Sequence, residues 1–245
     1  MAPILSVKNV SFSINAQRIL HGVTIAVQPG EVVGLIGPNG SGKTTFFNVL
    51  CGFLKPSSGS IGLKDADITA LSPSQRARIG IGRVFQNFGI FRDMTLEENV
   101  LVALESLPKE QRMALGDLHA RVRDTLKMVH LQDHAKKKAS SLSGGQMRLL
   151  EIARTFASQK ELFLLDEPTA GVSPKMTGQV SDLIKRLKQE GRTVVIIEHD
   201  LPFIRSICDR VIVLDVGEVV LEGKPDEIHG NRKLKEIYFG ADPAS

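Results

Sequence analysis

Apolar and polar positions along this 245-residue chain fall into two rhythms. Residues 32–36, 162–165 and 194–197 are continuous apolar runs without alternation, as strands buried on both faces of a sheet read. Residues 5–10, 24–27 and 211–214 are also of β type, while helical spacing marks about residues 42–50, 143–158 and 175–190. Strands alternating with helices predict an α/β core built on a parallel sheet. The first 30 residues instead read as short alternating strands, an antiparallel sheet beside that core.

From about residue 96 the strand rhythm disappears. Leu118, Val122, Leu126 and Val129 share one helical face among charged residues, and Pro108 interrupts the pattern. This predicts a helical lobe at 96–139, inserted into a core made of residues 1–95 and 140–240. Residues 241–245 read as a loose tail.

Composition changes this picture little. The chain is 42% hydrophobic and 24% charged, with a mean hydropathy of zero, as a globular protein should be. A net charge of +4 is too mild to call for a nucleic-acid partner. The Lys136-Lys137-Lys138 run reads as the solvated end of a helix, where cations suit the macrodipole. Cys51 and Cys208 stand far apart with no CxxC spacing, so neither a disulfide framework nor a zinc site is expected. The N-terminus lacks the pattern of a signal peptide. No apolar run approaches the roughly 18 residues that a span requires. Any service to a membrane is therefore expected to run through a partner.

Candidate chemistry begins at Gly37-Pro38-Asn39-Gly40-Ser41-Gly42-Lys43-Thr44, a GxxxxGK[ST] motif between an apolar strand and a helical run. Glycines let backbone N–H groups crowd a phosphate, and the helix N-terminus adds positive potential. Lys43 can then reach the β- and γ-phosphates, and Thr44 can offer its hydroxyl to Mg²⁺. Farther on, the apolar run 162–165 ends in Asp166 and Glu167. Such a strand delivers carboxylates to the carboxyl edge of a parallel sheet, where ligands bind. Asp166 can hold Mg²⁺ and Glu167 can polarise the attacking water as general base. His199 ends another buried strand and shares that edge, which suits a γ-phosphate contact. The side-chain amide of Gln86 can offer its oxygen to Mg²⁺ or water.

Ser141-Leu142-Ser143-Gly144-Gly145-Gln146 adds a second candidate anion site, with Ser143 as N-cap, two glycines for close approach and a helix behind them. One phosphate site needs only one such terminus, so the second must serve another ATP. The stretch resembles the LSGGQ signature of ABC ATPases, and the likeness extends over roughly residues 5–240. It implies a P-loop NTPase core with an antiparallel N-terminal β subdomain and a helical insert. It also implies that two chains pair head to tail, with Ser143, Gly144, Gly145 and Gln146 of one closing over ATP on the other. The ATP-binding set becomes Gly37, Pro38, Asn39, Gly40, Ser41, Gly42, Lys43, Thr44 and Thr45. Gln86 becomes the Q-loop glutamine, Asp166 and Glu167 the Walker B pair, and His199 the switch histidine.

Two departures from the family pattern stand out. The D-loop Ala170-Gly171-Val172-Ser173 ends in Ser where Asp is usual, a weaker cross-subunit partner. The adenine platform, usually Tyr or Phe, falls on Ile14, with Phe12 expected on the same strand face.

Stretches such as residues 91–100, 150–154, 197–200 and 237–240 most resemble the branched-chain amino acid uptake cassettes, and lipopolysaccharide-export cassettes share several of them. The likeness implies ATP and Mg²⁺ as cofactors, a second ATPase subunit and transmembrane permease subunits as partners, and a place on the cytoplasmic face of the membrane. A soluble ABC ATPase of the iron–sulfur assembly kind would use the same catalytic residues. A DNA-maintenance ATPase is excluded, because the stretch from Lys43 to Ser141 leaves no room for long coiled-coil arms. Without an aromatic platform, competition binding should find ATP and GTP nearly equivalent; a large preference for ATP would refute that weak adenine grip.

Overall fold

The computed structural model describes residues 2–85 and 89–239. Six strands form the central sheet: β3 (Val32–Ile36), β6 (Ile81–Val84), β7 (Leu162–Asp166), β8 (Thr193–Ile197), β9 (Arg210–Asp215) and β10 (Glu218–Gly223). Their order is β10-β9-β3-β8-β7-β6, parallel except for the antiparallel β9–β10 edge. Every residue of β3, β7 and β8 is buried, and alternate residues enter different cores. Val32, Leu165 and Ile196 pack with the helices on one face, whereas Val33, Leu164 and Ile197 join the N-terminal sheet on the other. Two buried faces explain why these runs show no polar alternation.

The second sheet, β2-β1-β4-β5, is antiparallel and uses β1 (Leu5–Ile14), β2 (Gln17–Val27), β4 (Ser58–Leu63) and β5 (Ala66–Asp67). It confirms the expected N-terminal sheet and lengthens its first two strands. Asn15 and Ala16 turn the β1–β2 hairpin with φ of 47° and 66°, the left-handed pair that a two-residue hairpin needs.

Helix α1 (Lys43–Leu50) follows β3, and α2 (Pro73–Arg78) precedes β6. The expected lobe holds α3 (Leu96–Glu105), α4 (Lys109–Ala114) and α5 (Leu118–Met128), with Pro108 at the N-cap of α4. Its two ends meet: Leu96 N–H donates to the Lys137 carbonyl, and Ala139 N–H to that of Met94. The lysine run lies in an exposed turn after a short 3₁₀ segment (Gln132–His134), not at the end of a helix. Then come α6 (Gly144–Ala157), α7 (Pro174–Gln189), α8 (Leu201–Ile207), α9 (Pro225–His229) and α10 (Arg232–Phe239).

Arg76 of α2 is 1% exposed and donates to four carbonyls, those of Val49 and Leu50 at 2.8 Å, Thr69 at 2.9 Å and Leu71 at 3.1 Å. Two of these lie in the last turn of α1, where the Val49 carbonyl also accepts the Gly52 N–H at 3.1 Å. Arg76→Ala should therefore cost about 3 kcal/mol, read as a lower urea midpoint; an unchanged midpoint would show that water replaces the guanidinium.

Candidate nucleotide-binding site

Strand β3 delivers the chain to a loop that only glycine can follow. Gly40 and Gly42 have φ of +81° and +101°, and a Cβ on Gly37 would stand 2.0 Å from the Leu214 carbonyl oxygen. Gly42 is the N-cap of α1 without any side-chain cap bond, so the first-turn N–H groups of the helix face the loop with no side-chain acceptor. Lys43 is buried, and its ammonium donates to the carbonyls of Gly37 and Pro38 at 2.8 Å and to Ser41 Oγ at 3.3 Å. Burial pushes its pKa down, while the charges of Glu167 and Asp166 oppose that shift. A cavity of about 190 Å³ opens here, lined by Asn39, Gly40, Gly42, Lys43, Thr44, Thr45, Glu167 and His199. The loop and the two acid–base candidates thus converge as their spacing implied.

Asp166 sits 1% exposed at the end of β7. Its Oδ2 accepts from Arg83 Nη2 at 3.1 Å, and its Oδ1 is buried with no hydrogen-bond partner. Burial raises its pKa, and the Arg83 guanidinium counters that. Next to it, Glu167 adopts a left-handed backbone with φ of 47°, a conformation that costs on the order of 1–3 kcal/mol and gathers at functional sites. Its N–H is held by the Ile197 carbonyl at 3.0 Å, and its Oε1 lies 2.9 Å from His199 Nε2. Glu198, 3% exposed, accepts from Thr169 N–H, Thr169 Oγ1 and His199 N–H, which locks the turn after β7 to the end of β8.

These donors fit Mg²⁺. An unpartnered carboxylate oxygen and the threonine hydroxyl of the cradle are hard oxygen ligands, and Mg²⁺ usually combines one or two carboxylates with substrate phosphates. No all-protein cage is needed.

Other expected positions fare differently. Gln86 lies outside the described residues. Phe12 is 8% exposed and packed in the N-terminal core, so it offers no face for a base. A register irregularity between Phe12 and Ser13 breaks the alternation that was to set Phe12 beside Ile14, which is 50% exposed. Ile19 of β2, unforeseen, lines the phosphate cavity.

Ser143 is the N-cap of α6, and Gln146 completes a capping box with it. None of Ser143, Gly144, Gly145 and Gln146 lines the cavity around Lys43. A Cβ on Gly145 would stand 2.2 Å from Met176 Sδ in the first turn of α7, so that side chain would have to move aside. Ser173 is the exposed N-cap of α7, and its hydroxyl makes no capping bond.

Three contributors were missed. Arg83 could be found only by knowing that β6 lies beside β7. Glu198 stands next to His199, but its partners Thr169 and the turn after β7 come together only in the fold. Tyr238, the single tyrosine, accepts the Gly37 N–H on its hydroxyl at 2.9 Å from the far end of the chain.

Comparison with known proteins agrees with this geometry. The family model described as ABC transporter matches residues 20–170. The high-affinity branched-chain amino acid transport ATP-binding protein LivG of Escherichia coli K12 is 38% identical, over 97% of this chain and 98% of that one. The lipopolysaccharide export system ATP-binding protein LptB of Acidithiobacillus ferridurans is 37% identical, over 98% of each. Among solved structures, the ADP conformation of the cassette MJ1267 superposes with a TM-score of 0.85 at 32% identity, over 98% of this chain and all of that one. A dimeric post-hydrolysis state of the cassette MJ0796, bound to ADP and phosphate, gives 0.78 at 31% identity over 90% and 98%.

With Lys43 at the centre of the cavity, Lys43→Ala should abolish tight nucleotide binding, measured by titration with a fluorescent ATP analogue. Normal affinity would remove Lys43 from the site.

Proposed function

The chain belongs to the ABC transporter family as an ATP-binding, ATP-hydrolysing subunit, and from that premise we propose that it drives amino acid uptake of the branched-chain type through separate permease subunits. One observation carries the pairing on which this motor depends. The capped N-terminus of α6 is an anion-binding terminus that lies away from the protein's own phosphate cavity. A second protomer, apposed head to tail, brings it to the γ-phosphate held by its neighbour, and that the similar cassette MJ0796 has a dimeric structure bound to ADP and phosphate supports pairing.

In the proposed cycle, Lys43 leaves the carbonyls of Gly37 and Pro38 for the β- and γ-phosphates, and the N–H groups at the start of α1 take the phosphate oxygens. Thr44 and Asp166 would hold Mg²⁺, which would supply positive charge to offset the charge that develops on the transferred phosphoryl group. Glu167 accepts a proton from the water that attacks the γ-phosphorus, and ADP departs. His199 fixes the Glu167 carboxylate through their 2.9 Å contact, and Glu198 keeps both in place.

Docking to the permease falls to a cavity of about 450 Å³ bounded by α2, β6, α3 and α6. Phe53, Phe85 and Phe91 on its wall are 52%, 38% and 48% exposed, an aromatic surface suited to an apolar helix of a partner. Among the described residues no helix is long and apolar enough to cross a membrane, so the proposed place is peripheral, against permease subunits at the cytoplasmic face. The likeness to LptB favours a second reading, export of a lipopolysaccharide-type substrate, with the same motor.

Glu167→Gln should bind ATP, hydrolyse it about 10²–10⁴-fold more slowly and elute as a dimer when ATP is present. Hydrolysis at the native rate would dismiss Glu167 as the base. Gly145→Asp should abolish turnover while leaving binding to the P-loop; normal turnover would refute the shared site. Purification from membranes should recover multi-span proteins with this chain. Their binding of branched-chain amino acids or of a lipopolysaccharide separates the two readings, and recovery without any such protein would favour soluble work.

A further inference from the structure

Arg83 touches both the Asp166 carboxylate and the aromatic wall of the docking cavity. On its inner side, Nη2 donates to Asp166 Oδ2 at 3.1 Å and Nη1 to Asn48 Oδ1 at 2.7 Å, anchoring the fork to β7 and α1. On its outer side, the guanidinium carbon stands 4.8 Å from the Phe85 ring centre and 5.8 Å from that of Phe53. The two rings meet edge to face at 5.8 Å. The Arg83 side chain is 8% exposed, whereas both rings face the cavity. Its Nε is buried and makes no hydrogen bond, so among the described residues Asp166, Asn48 and the aromatic faces hold the guanidinium, with the Cys51 thiol beside it.

We infer that Arg83 is a positioning residue that couples occupancy of the aromatic cavity to metal binding at Asp166. By holding Oδ2, it aims the unpartnered Oδ1 at the metal. A helix that shifts Phe53 or Phe85 shifts the cation stacked on them, and the carboxylate turns with it. Planar stacking and a two-pronged grip are properties of arginine that lysine lacks. The inference rests on the nucleotide-and-metal reading above and extends it to the route by which a docked partner reaches the site.

Mn²⁺ serves as the metal probe, titrated into the full chain with ADP present while free ion is read by electron paramagnetic resonance. Arg83→Lys keeps the charge but loses fork and stack, and should weaken Mn²⁺ binding about tenfold, as loss of a group orienting a metal ligand does. Phe53→Ala, on the cavity side, should weaken it about threefold, and the double variant should be no weaker than Arg83→Lys alone, since contacting residues do not act additively. Phe53 is half exposed, so its variant keeps the test alive if Arg83→Lys misfolds. Native Mn²⁺ affinity in Phe53→Ala, or effects that multiply in the double variant, would overturn the coupling. No ADP-dependent Mn²⁺ binding by the unaltered chain would overturn both the coupling and the metal reading; native affinity in Arg83→Lys overturns the coupling alone.

Discussion

Desolvated charge at the carboxyl edge of an apolar sheet is the constraint on which the rest of the structure depends. Lys43, Asp166 and Glu198 are each buried at or within a few residues of the ends of strands whose interiors are wholly apolar. A charge taken out of water is tolerated only with partners around it. Lys43 finds three oxygens, Glu198 finds three donors, and Asp166 finds Arg83 for one oxygen only. The remaining deficit, an unpartnered carboxylate oxygen beside first-turn N–H groups with no side-chain cap, is an appetite for a metal and phosphate together. Ligand binding completes what folding leaves unfinished.

The same constraint explains the backbone. An ammonium can turn back onto the carbonyls of Gly37 and Pro38 only if the loop winds tightly through left-handed glycines. Glu167 can face the cavity only from a left-handed position next to a strand end. Glu198 holds that turn, so strain at one residue is balanced by hydrogen bonds at its neighbour across the sheet.

Much of this was legible in the sequence because it is local. The P-loop, the Asp166-Glu167 strand end and the capped start of α6 are each fixed by residues adjacent in the chain. Strands buried on both faces also announce themselves as unbroken apolar runs. What escaped is non-local or short. β6 holds only Ile81, Gly82, Arg83 and Val84, too brief and too polar to read as a buried strand, and Arg83 makes sense only beside Asp166. β4 carries glycine and serine on a half-exposed sheet, and β5 is only Ala66 and Asp67. Phe12 was misplaced because a register irregularity defeats period-two counting. Tyr238 lies about 200 residues from its partner in sequence, at a separation no pattern reports.

That last contact has a consequence for how the protein is made. The Gly37 N–H meets its acceptor in α10, 201 residues further along the chain. On the ribosome, the loop and α1 therefore emerge well before the tyrosine that answers this N–H, and the contact can close only after α10 has been translated and folded back against the loop.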